Sequence, residues 1–219
     1  MKTLIKSIFL FCGLAISFGL QAQNDPKSDA ILKKVAKVYQ SYSTINATFS
    51  ITTTAAGGQG KPTVENGTIW LKGKKFKLNY AAQEIFCDGA FTWTYNKDDA
   101  EVIKENFKLR DNSITPNEIF TIYNRDFKSK YEGPTVRNGK NYDVLMLTPK
   151  KKVNYAYVKL EIDKTTNKIQ RVIQHFKNGA EVIIEIKTLT PNTALADSFF
   201  VWNQAAHSDA VLVDLTKKR

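Results

Sequence analysis

The chain has 219 residues, 42% of them hydrophobic and 24% charged, which is enough apolar content for one domain with its own core. Its 11 Gly and 6 Pro, set against 13 Phe, 9 Tyr and 3 Trp, exclude collagen-like and disordered sequence. Two Cys and two His leave no room for a zinc cluster or a disulfide framework, and the formal net charge of +11 requires a partner or a reason.

Residues 1–22 read MKTLIKSIFLFCGLAISFGLQA. Lys2 and Lys6 give a positive start, Leu4 to Leu20 is almost wholly apolar, and Leu20-Gln21-Ala22 supplies small-residue cleavage chemistry. This pattern predicts a cleaved signal peptide over 1–22 and a soluble exported domain over 23–219. The apolar run is short for a membrane anchor. Cys12 sits inside the run, whereas a lipidated cysteine belongs at its end. Removing Lys2 and Lys6 lowers the formal net charge from +11 to +9 and leaves Cys87 as the single cysteine. With no internal disulfide available, the core must hold the fold. Beside Phe86 in a strand-like run, Cys87 reads as a buried, inert thiol.

Over residues 28–42, Ile31, Leu32, Val35, Val38, Tyr39 and Tyr42 share one helical face, with Lys33, Lys34 and Lys37 opposite. Ser28 or Asp25 suits the cap, and the apolar face is expected to pack on the domain's own sheet. Strands follow. Ala47, Phe49 and Ile51 alternate with Thr48, Ser50 and Thr52, and AAGGQGK over 55–61 is a turn. Then come TVENGTIWLK, KFKLNY, QEIFC, AFTWTY and AEVIKENF, with Asp88-Gly89 as a hairpin signal. Further strands are predicted at 142–148, 155–163, 168–176 and 180–189, turning at Asp163–Lys168 and Asn178-Gly179. The prediction is an antiparallel meander in which successive strands pair. One helix interrupts it: Thr115-Pro116-Asn117-Glu118 forms a capping box, and Ile119, Phe120, Ile122, Tyr123 and Phe127 follow.

Clean alternation, such as Phe76, Leu78 and Tyr80 against Lys75, Lys77 and Asn79, marks strands with one covered face. A curved sheet of this length with only two short helices either encloses a hollow for a ligand or fills it with its own side chains. Alternation leaves both open. There is no nucleophile elbow, P-loop or dinucleotide fingerprint, and His175, His207 and Asp98-Asp99 sit in ordinary structural contexts. No enzyme activity, metal or cofactor is expected. The dispersed lysines suit anionic lipid surfaces or acidic partners better than nucleic acid, which an exported protein rarely meets.

GTIWLKGKKFKLNY, IFCDGAFTWTYN and TPNEIF, in that order, resemble the LolA family of periplasmic lipoprotein carriers. The matching positions are Gly67, Trp70, Phe76, Asp88, Gly89, Trp93, Tyr95 and Thr115-Pro116, and SFFVWNQAAHSDAVLVDL resembles the family's closing strand and terminus. The resemblance implies a mainly β fold, an unclosed and strongly curved antiparallel half-barrel with lid helices over a hydrophobic cavity. It implies a monomeric periplasmic carrier of lipoprotein acyl chains, with an inner-membrane ABC release complex and an outer-membrane acceptor as partners. The alternative function is a periplasmic sensor or assembly factor that uses the same sheet as a protein-interaction platform.

Under this resemblance the expected ligand-facing residues are Phe49, Ile51, Ile69, Leu71, Phe76, Leu78, Phe86 and Trp93 from the sheet, and Ile119, Phe120 and Tyr123 from the lid. Trp70 falls on the opposite parity from Ile69 and Leu71. The basic turn departs from the family: Lys72-Gly73-Lys74-Lys75 stands where members often carry Arg-Pro, so Lys72 and Lys74 are the expected lid contacts. A lysine lacks the planar fork of a guanidinium.

Overall fold

The computed structural model describes residues 25–58, 60–107 and 126–217. The expected signal peptide lies outside the described residues, as does the expected lid helix with Ile119, Phe120 and Tyr123.

Helix α1 spans Pro26–Gln40 and begins two residues before the sequence pattern suggests. Pro26 fixes the first helical φ, and the Asp25 carboxylate caps the end by accepting from the Lys27 amide at 2.9 Å. The same carboxylate accepts from the Tyr131 amide at 2.8 Å. Ile31, Leu32, Val35 and Tyr39 are buried, as their spacing predicts.

The strands are β1 (Ile45–Thr54), β2 (Thr63–Lys72), β3 (Lys75–Tyr80), β4 (Gln83–Cys87), β5 (Phe91–Asn96), β6 (Glu101–Asn106), β7 (Phe127–Arg137), β8 (Lys140–Pro149), β9 (Tyr155–Asp163), β10 (Ile169–Phe176), β11 (Glu181–Pro191) and β12 (Val211–Asp214). They form one unclosed sheet in the order β12-β6-β5-β4-β3-β2-β1-β11-β10-β9-β8-β7. Within β2–β6 and within β7–β11 successive strands pair, so the predicted meander is present as two meanders. Strand β1 joins them, antiparallel to β2 on one side and to β11 on the other. Bulges between Thr48 and Phe49, Tyr131 and Gly133, and His175 and Phe176 bend the strands into a strongly curved half-barrel.

Three differences from the sequence reading are local. Phe127, expected at the end of a helix, opens β7. Strand β12 runs parallel to β6, an exception to the antiparallel rule. The SFFV segment is no strand: Asp197–Phe200 forms a 3-10 turn that buries Phe200 completely.

Cross-strand register assigns every strand residue to one of two faces, because partners point the same way. The inner face carries α1. There Ile31, Leu32, Val35 and Tyr39 pack with Ile45, Leu71, Phe127, Leu145, Leu160 and Ile169 in the main core. The opposite face carries a second cluster of Phe86, Trp93, Tyr95, Val102, Trp202 and Ala210. On the same face of the β7–β11 half, Glu161 accepts hydrogen bonds from both Arg137 and Arg171 at 2.9 Å. Those two guanidinium groups keep the buried Glu161 carboxylate paired, and Arg137 also donates to Glu185 at 3.2 Å.

Candidate ligand-binding face

The register of β2–β6 lines up Ile69, Leu78, Ile85, Thr94 and Ile103 across five strands of the inner face. All five are half-buried. One row toward α1, Leu71, Phe76 and Cys87 are fully covered and belong to the main core. One row the other way, Tyr80, Gln83, Asn96 and Glu101 form a polar rim. The inner face therefore grades from sealed core through a half-open aliphatic band to a polar edge. From β1 onward a second half-buried row, Ile51, Ile184 and Val172, is in register within itself but offset from the first, since Ile69 pairs with Ala47 and Ile51 lies four residues further along β1. Among the described residues α1 is the only α-helix, and it covers the sealed row rather than the band.

Phe49 stands on β1 between the two rows, level with Gly67 and Tyr80. Its ring crosses Gly67, where an added Cβ would collide with Phe49 Cζ and lie 2.8 Å from the Asn79 carbonyl oxygen. Only a residue without a side chain permits that approach. The Phe49 ring then meets Tyr80 at 6.3 Å, and the Tyr80 hydroxyl donates to Glu65. That hydrogen bond to a carboxylate pushes the phenol up to about 12.

Burying an aliphatic side chain fully contributes ~1.5–3 kcal/mol relative to exposure. A band of half-buried Ile and Leu thus keeps some apolar area uncovered, available to an apolar ligand without rearranging the core. The chemistry on offer is solvation of hydrocarbon. Among the described residues no group of His, Cys, Asp or Glu is placed to hold a metal ion. His175 pairs with Glu181 at 3.1 Å, and His207 stacks on Trp202 at 4.2 Å; both are on the opposite face. Cys87 is completely buried, and desolvation pushes its thiol up to about 11.

Of the expected ligand-facing residues, Phe49, Ile51, Ile69, Leu71, Phe76 and Leu78 do share the inner face, with Leu71 and Phe76 sealed in the core. Phe86 and Trp93 do not. They are register partners on the opposite face, in the cluster with Trp202, whose ring lies 5.6 Å from that of Phe86. The cause is the turn between β3 and β4. Tyr80 pairs with Gln83 across a two-residue turn, and Ala81 takes φ 52°. Nothing in Ala81-Ala82 signals that length, and a turn one residue longer would have set Phe86 beside Leu78. The same short turn brings in Ile85 and Ile103, which alternation alone overlooks.

Lys72 and Lys74 are also placed differently from expectation. Lys72 Nζ donates to the Leu195 carbonyl at 2.6 Å and pairs with Asp197 at 2.9 Å on the opposite face, while Lys75 reaches Asp197 at 2.7 Å. These two ammonium groups hold the Asp197 carboxyl down at about 2. They fasten the C-terminal segment, whereas Lys74 sits exposed in the turn.

The profile of the outer membrane lipoprotein carrier protein LolA family matches residues 40–203. Solved structures share the fold. An uncharacterised conserved protein from Thermus thermophilus has a TM-score of 0.58 at 11% identity, covering 86% of this chain and 99% of that one. LprF from Mycobacterium bovis has a TM-score of 0.50 at 11% identity, covering 80% and 99%. The MucA/MucB complex of Pseudomonas aeruginosa matches at 0.51 and 14% identity, over 85% of this chain and 63% of that one. No curated protein matches the sequence.

Proposed function

Because the chain belongs to the LolA family of outer membrane lipoprotein carrier proteins, we propose that its inner face carries the acyl chains of lipoproteins through the periplasm. In this reading an inner-membrane ABC release complex loads it and an outer-membrane acceptor unloads it. The observation that supports it is the half-buried band of Ile69, Leu78, Ile85 and Ile103, with the offset half-buried row of Ile51, Ile184 and Val172 on the same face. Each acyl methylene withdrawn from water contributes ~0.8 kcal/mol, so a long chain needs such a surface and no catalysis. The expected lid side chains Ile119, Phe120 and Tyr123 would complete the enclosure. Release follows when the acceptor offers the chains a better environment, or when an open state lies within a few kcal/mol.

Extraction of the purified protein and mass spectrometry of the extract tests the reading. Acylated cargo is expected from the wild type and is expected to be absent from Leu78→Asp, which places a charge in the middle of the band. A lipid-free wild-type extract, or equal cargo in both, overturns it. The interaction-platform alternative draws on the MucA partner of one structural neighbour and predicts an extract without lipid.

A further inference from the structure

The solvent side of α1 is a row of lysines with no acid among them. Lys27, Ala30, Lys33, Lys34, Lys37 and Gln40 are all exposed, while the helix buries Ile31, Leu32, Val35 and Tyr39 beneath them. The nearby carboxylates are turned the other way: Asp25 is occupied by the Lys27 and Tyr131 amides, and Asp29 lies 3.5 Å from the Ser129 hydroxyl. Lys27 covers the Tyr131 ring at 3.7 Å. Lys33, Lys34 and Lys37 make no ion pair among the described residues, although the molecule pairs lysines readily elsewhere, at Glu84, Glu132 and Asp197. The helix is fixed from below and carries charge above.

We propose that this helix face docks the protein on the surface of an anionic phospholipid bilayer. The chemistry of the face favours headgroups over a protein partner. Protein interfaces are enriched in aromatic residues and Arg and depleted in Lys, because they require anchors of fixed geometry. This face has neither; it presents flexible point charges, which suit anionic headgroups that move laterally to meet them. The apolar side of α1 is already spent on the core, so contact is electrostatic and reversible, without insertion. Docking through this face is independent of what the inner face carries.

Each lysine brought to an anionic surface strengthens partitioning about fivefold at moderate ionic strength. The test is flotation of the protein comprising residues 23–219 with vesicles of phosphatidylcholine alone and of phosphatidylcholine with about a third phosphatidylglycerol. Binding is expected to the anionic vesicles only, and to be lost in high salt. The triple variant Lys33→Gln, Lys34→Gln, Lys37→Gln is expected to bind about 100-fold more weakly. A second triple, Lys61→Gln, Lys177→Gln, Lys217→Gln, removes the same charge from exposed positions at the β1–β2 turn, at the β10–β11 turn and after β12, and is expected to bind like wild type. Circular dichroism confirms that both variants fold. Absence of flotation, or equal weakening in the two triples, overturns the proposal, the latter by showing that net charge rather than this face is responsible.

Discussion

Strands β2–β6 are apolar on both sides, and the molecule treats the two sides differently. On the opposite face, Phe86, Trp93, Tyr95 and Val102 are covered by the chain's own C-terminal segment, with Trp202 in van der Waals reach of Phe86, Tyr95 and His207. On the inner face, Ile69, Leu78, Ile85 and Ile103 keep part of their surface uncovered although α1 lies one row away. Equal hydrophobicity thus serves two ends: large aromatic rings interlock where closure is permanent, and aliphatic side chains of similar height line the face that is left available. Aromatic rings add directional edge contacts to area burial, while aliphatic surface is non-directional and accepts hydrocarbon in many poses.

The contrast breaks most sharply at Trp202. Trp202→Ala is expected to cost ~3–5 kcal/mol, because a large buried ring leaves a cavity, while acyl-chain content per folded molecule stays unchanged; urea unfolding and lipid analysis of the same sample check both halves. Gly67→Ala tests the Phe49 contact between the two inner-face rows. Its Cβ collides with the Phe49 ring and with backbone oxygen of Asn79, so a loss of ~1–3 kcal/mol is expected from overpacking, read by the same unfolding curve. Leu78→Asp is the converse of Trp202→Ala: about 1 kcal/mol in stability, against complete loss of cargo.

The smallest effect is expected at the fastening of the C-terminal segment. The Asp197 carboxyl is lowered from 3.8 to about 2 by Lys75 and Lys72. A lowered carboxyl stabilises the fold above its unfolded value, and that contribution fades as pH falls through about 2. Hydrogen-exchange protection of residues 195–200 in the wild type is therefore expected to drop between about pH 4 and about pH 2. In Asp197→Asn it is expected to be lower at neutral pH and to lose that pH response.

Much of this architecture was legible in residue order. The α1 stripe, the Ile69/Leu71 and Phe76/Leu78 alternation and the buried Cys87 all follow from periodicity. What escaped has physical causes. Strand β7 holds Gly133 and Pro134 and alternates apolar residues only at Phe127 and Tyr131, because it is an edge strand with one partner, β8. Facing in β4 and β5 turned on a turn of two alanines, one of them at φ 52°, where the usual Gly or Asn punctuation is missing. The clamp by Lys72 and Lys75 depends on Asp197, more than 120 residues away, a separation that no local pattern encodes.

The late position of the Trp202 segment has a bearing on biosynthesis. Residues 197–214 leave the ribosome after every strand they cover, and β12 can join β6 only once they have emerged. Until then the growing chain displays oil on two sides at once, a state prone to clumping. A chain lacking residues 197–214 would keep that surface bare, so aggregation is expected to depend on this one stretch.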